Sequence, residues 1–236
     1  MAGLPEMSKN PHIPAAGKLL SEFSGRDSDS ALFVTTILHQ FAESLGNAID
    51  AKDAHTSAHS DEVAQISHTL ALTMGLSPQE ADIIHVAGHL HDIGKIGVPD
   101  AVLSKQGPLD HKEWLAIRKH PEAGAAILRP VSSLQRLGIV DMVLYHHERY
   151  DGKGYSAGLK GAQIPLGARI IALADSLSAM LQNRPYRCAR SFESAVREIR
   201  HCSGTQFDPR VVDAFCECTD MVQGILSALA TDEAAA

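Results

Sequence analysis

His91 and Asp92 stand side by side at the end of an apolar run, with Lys95 one turn further on. Neutral imidazole and carboxylate suit Fe, Mn, Zn or Ni, and adjacent ligands can serve two neighbouring metals if the carboxylate bridges. Lys95 adds a cation, which suits an anionic substrate better than a purely structural metal. An isolated His-Asp is ordinarily a helix end with a satisfied core histidine and a surface ion pair, so other residues must overturn that reading. Four more places can supply ligands: His59, His120, the His146-His147 pair and Asp175. His120 stands before a helix-starting Pro121, where a side chain can project past the helix end. His146 and His147 close an apolar stretch, and neighbours on a helix differ by about 100° in direction. They can reach different metals, or one metal and one substrate oxygen. Asp175 is a lone carboxylate in the apolar run Ala172–Leu177, costly unless paired or metal-bound. His85 and His89, four apart, are a tempting pair, but Asp92 lies about 10 Å along the axis from His85. One metal cannot take both, and the two histidines read as packing or surface residues.

Helices have to position these groups. From Ala31, the residues Phe33, Ile37, Phe41, Leu45 and Ile49 recur every four positions. Asp53 to Asp61 interrupts, and a second helical pattern runs through Val63, Ile66, Leu70 and Leu72 to Gly75. Ser77-Pro78-Gln79-Glu80 is a start signal, with Ser as N-cap, Pro at the first helical position and Glu three residues after Ser. That helix carries Ile83, Ile84, Val86, Ala87 and Leu90 into His91-Asp92. A polar helix around Lys112–Lys119, one opened by His120-Pro121-Glu122 and one over Ile139–Tyr145 follow. The Gly-rich segment Asp151–Gly158 reads as a loop, and the strongest helical pattern begins after Pro165. No alternating strand pattern of useful length and no internal repeat occurs. The expected fold is all-α, a helical bundle with a Gly-rich loop, spanning residues 31–226 between a tail or linker remnant at 1–30 and a C-terminal tail at 227–236.

Composition narrows the function. The chain has 236 residues, 44% hydrophobic, 21% charged and only 5% aromatic, as expected for a globular protein with an aliphatic core. A net charge of −7 provides no general basic surface, so DNA and RNA are not expected partners, and phosphate recognition has to be local. No apolar run approaches the ~18 residues of a membrane span, and no basic-then-apolar leader is present. The four cysteines lack paired C-x-x-C spacing, which fits reduced thiols in a cytoplasmic protein better than a zinc ribbon.

Taken in order, His91-Asp92-Ile-Gly-Lys95, His120-Pro-Glu122, His146-His-Glu-Arg-Tyr-Asp-Gly-Lys-Gly-Tyr155, Ile164-Pro-Leu166, Ala174-Asp175 and Arg184-Pro-Tyr-Arg187 resemble the HD-GYP branch of the HD phosphohydrolases. The match runs from about Asp53 to Phe215. The resemblance implies a helical HD-domain fold holding two divalent transition metals, usually Fe or Mn, with a third in some members. It implies opening of the phosphodiester ring of cyclic di-GMP to linear pGpG, GMP or both. By position it makes His59, His91, Asp92, His120, His146, His147 and Asp175 ligands, with Asp92 bridging. Two such cations make a nucleophile from water at neutral pH and neutralise charge on the phosphate. Lys95, Arg184 and Arg187 would hold phosphate oxygens, and the Gly152–Tyr155 loop, Gly154 and Tyr155 above all, would approach a purine. The implied partners are a cyclic dinucleotide and a diguanylate cyclase or sensor domain, with a homodimer left open.

Three departures accompany the resemblance. Where three-metal members carry a Glu, this chain has His55, on one helix face with His59 at spacing four; a weak or empty third site is expected. Ser156 replaces the Pro of the usual GYP, which frees a backbone N–H and loosens the loop. Ser178 replaces an Asp, which touches loop or substrate positioning rather than the metals. The competing function is a catalytically weak regulatory module that binds cyclic di-GMP or a cyclase partner. Silent relatives lose ligands, and this chain keeps the two-metal set.

Overall fold

The computed structural model describes residues 27–53, 58–183 and 188–235. Among them there is no strand, only an isolated bridge between Ser203 and Phe207. The helices that matter below are α1 (Asp27–Lys52), α2 (His59–Thr73), α3 (Pro78–Leu90), α4 (Asp100–Leu103), α5 (His111–Arg118), α6 (His120–Leu128), α7 (Ser132–Arg136), α8 (Ile139–Tyr145), α9 (Leu166–Leu181), α10 (Phe192–His201), α11 (Pro209–Glu217) and α12 (Thr219–Ala235). The chain divides into two compact units, Met1–His39 and Gln40–Ala236. The described part of the first is helical; the core and the site belong to the second. No helix among the described residues is long and apolar enough to cross a membrane.

The core is mainly aliphatic, as the scarcity of aromatics leads one to expect, with Phe207 and Phe215 buried in it. Val63, Ile66 and Leu70 of α2 and Ile170, Ile171, Leu173 and Leu177 of α9 are fully buried, and α3 packs against α2, α8 and α9. The start of α3 is built as its sequence indicates: Ser77 Oγ accepts from Glu80 N at 3.3 Å while Ser77 N donates to Glu80 Oε2 at 2.9 Å. Asp110 caps α5 in the same way, with its carboxylate accepting from Lys112 N and Glu113 N. Behind α9, the buried Arg169 donates to Asp208, which is also the N-cap of α11.

The element edges differ from the sequence pattern in places. The interruption expected from Asp53 to Asp61 is shorter, because α2 already starts at His59. Helix α1 begins before the expected boundary at 31, and α12 continues past the one at 226. Phe41, on the apolar repeat of α1, is 63% exposed, while Ile49 of the same repeat is buried.

Candidate metal centre

Four helix ends converge on one buried point. Helix α3 ends on His91 and Asp92, just before the 3-10 turn Ile93–Gly97. Gly94 in that turn is forced by packing: a Cβ there would lie 1.9 Å from the His120 carbonyl oxygen. The missing side chain is what lets the His-Asp turn press against the start of α6. His120 opens α6, His146 and His147 follow α8, His59 opens α2, and Asp175 comes from the middle of α9.

The Asp92 carboxylate lies at the centre. Its Oδ2 is 3.2 Å from His91 Nε2 and 3.9 Å from His59 Nε2; its Oδ1 is 3.1 Å from His120 Nε2. His120 Nε2 is in turn 3.3 Å from His146 Nε2. Asp175 spans the outer edge, with Oδ1 3.3 Å from His59 Nε2 and Oδ2 4.0 Å from His147 Nδ1. Two overlapping groups result: His59, His91 and Asp92 form one, and Asp92, His120, His146 and His147 form the other. Asp92 is common to both.

The imidazoles are oriented as ligands. His91, His120 and His146 each donate Nδ1–H to the carbonyl three residues earlier (Gly88, Ile117 and Val143), all at 2.7 Å. A carbonyl only accepts, so Nδ1 carries a proton, and in its neutral form each ring turns its Nε2 lone pair toward the cluster, where a cation can take it. His91 Nε2 is a buried atom with no hydrogen-bond partner. Clustered nitrogen and carboxylate donors with an orphaned buried nitrogen fit a transition metal.

Charge in the site follows the same logic. Burial opposes ionisation of Asp92, but Lys95 and His91 outweigh it and hold the carboxyl well below its usual range. Burial likewise opposes charge on His91, yet Asp92 beside it raises the imidazole to about 9. Burial pushes His147 down to about 3, and burial with the neighbouring histidines holds His146 well below its ordinary value. Asp175 is disfavoured by burial, but the His59 hydrogen bond keeps it ionised. Burial thus keeps His146 and His147 neutral beside the anionic Asp92 and Asp175, while Asp92 holds on His91 a proton that a cation would displace.

Lys95 reaches the site, though its visible partners are carboxylates rather than open space. Nζ is 2.8 Å from Asp92 Oδ2 and 2.9 Å from Asp53 Oδ2. The Gly-rich segment is irregular, as expected, but its glycine at 154 has a different reason from the one the sequence suggested. A Cβ at Gly154 would lie 2.3 Å from Arg149 N and 2.6 Å from the His147 carbonyl oxygen. The missing side chain makes room for the protein's own backbone. Ser156, at the position of the usual Pro, donates its hydroxyl to the Leu144 carbonyl at 3.3 Å. Tyr155 lies against the site, its ring 4.9 Å from that of His147 and tilted by 32°.

Sequence reasoning missed two supports. Buried Glu148 accepts from Ala157 N at 2.6 Å and Gly158 N at 2.8 Å through a single oxygen, latching the loop to the residue after His147. Ser178, fully buried, donates to Glu62 and therefore accepts from His59 Nδ1 at 2.8 Å. The Ser178 departure thus bears on a candidate metal ligand, contrary to the expectation that it concerns only loop or substrate. Glu62 and Ser178 stand three residues after His59 and Asp175, which is the one signal the sequence carried. His85 and His89 join neither group; His89 is buried with Nδ1 3.3 Å from Asp61 Oδ1, and the His85 ring packs edge-on against it. His55, Arg184 and Arg187 lie outside the described residues.

The family described as HD domain matches residues 43–211. The chain is 41% identical over 179 residues to a cyclic di-GMP phosphodiesterase of Thermotoga maritima, covering 75% of this chain and 48% of that protein. It is 39% identical over 191 residues to the cyclic di-GMP phosphodiesterase response regulator RpfG of Xanthomonas campestris, covering 80% and 50%. The chain therefore spans about half the length of these curated relatives. Among solved structures, a cyclic GMP-AMP specific phosphodiesterase of Vibrio cholerae superposes with a TM-score of 0.61 over 81% of this chain and 50% of that one, at 20% identity, which is a likeness of fold.

Proposed function

This chain belongs to the HD-domain family, of the HD-GYP type, and on that ground we propose that it hydrolyses a cyclic dinucleotide phosphodiester in a metal-dependent reaction. The substrate assigned is cyclic di-GMP, the products pGpG, GMP or both, the working unit residues 31–226, and the setting the cytoplasm. The observation that carries this reading is the division of Asp92, whose two oxygens face two different groups of histidines. A carboxylate shared in this way suits a pair of cations, and Fe or Mn suits the nitrogen and oxygen donors.

His59, His91 and Asp175 would hold one ion, His120, His146 and His147 the other, with Asp92 between them. When bound, such a pair activates water for attack and neutralises charge on the phosphate. Lys95 keeps Asp92 ionised, since its ammonium lies 2.8 Å from the carboxylate, and a third N–H remains for a phosphate oxygen. Tyr155 walls the site beside His147. Arg184 and Arg187 are assigned to further phosphate oxygens, and His55 to a weak third site. A diguanylate cyclase or sensor domain remains the partner class proposed.

The test is metal content and turnover measured together. Protein prepared with Fe or Mn supplied is expected to hold at least two ions per chain and to linearise cyclic di-GMP. Asp92→Ala is expected to lose most metal and all turnover with helix content intact. One ion or none in folded protein, or wild-type turnover by the variant, refutes the reading.

A further inference from the structure

Arg118 lies at the end of α5, with its guanidinium carbon 4.5 Å from the Trp114 ring centroid and 4.4 Å from that of Tyr155. Trp114 and Arg118 are four apart and share one helix face. Trp114 is 45% exposed. The Tyr155 ring in turn lies against His147 of the second metal group. A ladder of planar groups therefore runs from the surface to the metal centre: Trp114, Arg118, Tyr155, His147.

The guanidinium is held but not paired. Among the described residues, Arg118 has neither a carboxylate partner nor a hydrogen-bond acceptor. Stacking on aromatic rings engages the face of a guanidinium and leaves its in-plane N–H donors free. A rigid fork of donors with no protein acceptor, one ring away from a candidate ligand, is built for an acceptor that arrives with the substrate.

We propose that Arg118 reads the acceptor edge of a guanine base in the bound cyclic dinucleotide, so that it sets the preference for guanine over adenine. This rests on the reading of the site as a cyclic dinucleotide phosphodiesterase. Guanine offers O6 and N7, two acceptors that match an arginine fork, whereas adenine replaces O6 with an amino donor. A phosphate is the competing acceptor. The scissile phosphate is expected at the candidate metal ligands, however, and Arg118 stacks on Tyr155 rather than on a ligand, so the base attached through its ribose is the acceptor assigned to it. Arg118 is thus a binding residue that acts on specificity, not on the chemical step.

The chain's single tryptophan is Trp114, so its fluorescence reports this site directly. Metal-loaded protein would be titrated with GMP and with AMP, neither of which carries a phosphodiester to hydrolyse. Wild type is expected to bind GMP about tenfold or more tightly than AMP, the discrimination of one bidentate base contact. Arg118→Gln is expected to lose that margin, weakening GMP while AMP holds or tightens, since glutamine pairs with adenine N6 and N7. In turnover, the variant should raise KM for cyclic di-GMP with kcat nearly unchanged. Equal weakening of GMP and AMP would make Arg118 a phosphate contact, and no weakening would make it a structural stack; either overturns the proposal. If no cyclic dinucleotide is turned over but the GMP margin exists and vanishes in Arg118→Gln, the base assignment stands and the phosphodiesterase reading fails. If cyclic di-GMP is turned over without any GMP margin, the phosphodiesterase reading stands and the base assignment fails.

Discussion

Glu148→Ala should release the Gly-rich loop while leaving the metals in place. The side chain is buried and one of its oxygens accepts from both Ala157 N and Gly158 N, at 2.6 and 2.8 Å. Hydrogen bonds to a charged acceptor contribute roughly 1.5–3 kcal/mol each. Ala157 and Gly158 are exposed, so in the variant water would satisfy much of what the two amides lose. A net cost of about 2–3 kcal/mol for the pair follows, or roughly 30- to 150-fold in the loop-opening equilibrium at ~1.4 kcal/mol per factor of ten. Hydrogen exchange read at those two amides should show that loss of protection. Glu148→Gln keeps an acceptor oxygen without its charge, so it should show a smaller loss, about tenfold or less. Turnover should fall with the loop, because Tyr155 packs on His147 from that segment, while metal content should stay at the wild-type level. Unchanged exchange at Ala157 and Gly158 would refute the latch. Loss of metal in parallel with activity would instead move Glu148 into the ligand scaffold.

Other consequences follow from the same contacts. Ser178→Ala removes the acceptor that orients His59, so metal affinity should fall by about 10- to 100-fold, with turnover recovered in excess metal; unaltered affinity in a metal titration would count against that support. Asp208→Ala strands buried Arg169 and uncaps α11, so it should cost about 3–5 kcal/mol of stability, read as a lower denaturation midpoint, and a loss under 1 kcal/mol would contradict it. Arg184→Ala should weaken cyclic di-GMP binding by about ten- to a hundredfold, the loss of one charge-assisted contact of roughly 1.5–3 kcal/mol. Its metal content should not change, because Arg cannot be a ligand; unchanged substrate affinity would sink the phosphate assignment.

What the sequence disclosed and what it hid divide along a physical line. The apolar periodicity of α3 and α9, the Ser77–Glu80 box and Pro121 are local signals, and the structure builds those elements where the signals lie. Contacts made across the fold left little trace. The Ser178 hydroxyl meets His59 across 119 residues and Lys95 meets Asp53 across 42, and no spacing rule encodes such a pairing. Gly154 shows the same limit: its lack of a side chain was visible, but whether the vacated space serves a ligand or the backbone of Arg149 was not.

The histidines themselves show why part of the site was legible. The last carbonyls of a helix have no intrahelical donor. A histidine just after such an end can give its Nδ1–H to one of them, which fixes the ring and frees Nε2. His91, His120 and His146 do this with Gly88, Ile117 and Val143 at the ends of α3, α5 and α8. For these three, a helix stop next to a histidine is both the sequence signal and the orienting device. His59 lies at the opposite kind of end, the start of α2. The unpaired groups there are N–H donors, so the helix offers this ring no free carbonyl. Its acceptor has to come from another helix, and Ser178 of α9, itself held by Glu62, supplies it. His120 also opens a helix but borrows a carbonyl from α5, which ends just before it; His59 takes its acceptor from a distant residue, and that partner is what the chain's local pattern could not announce.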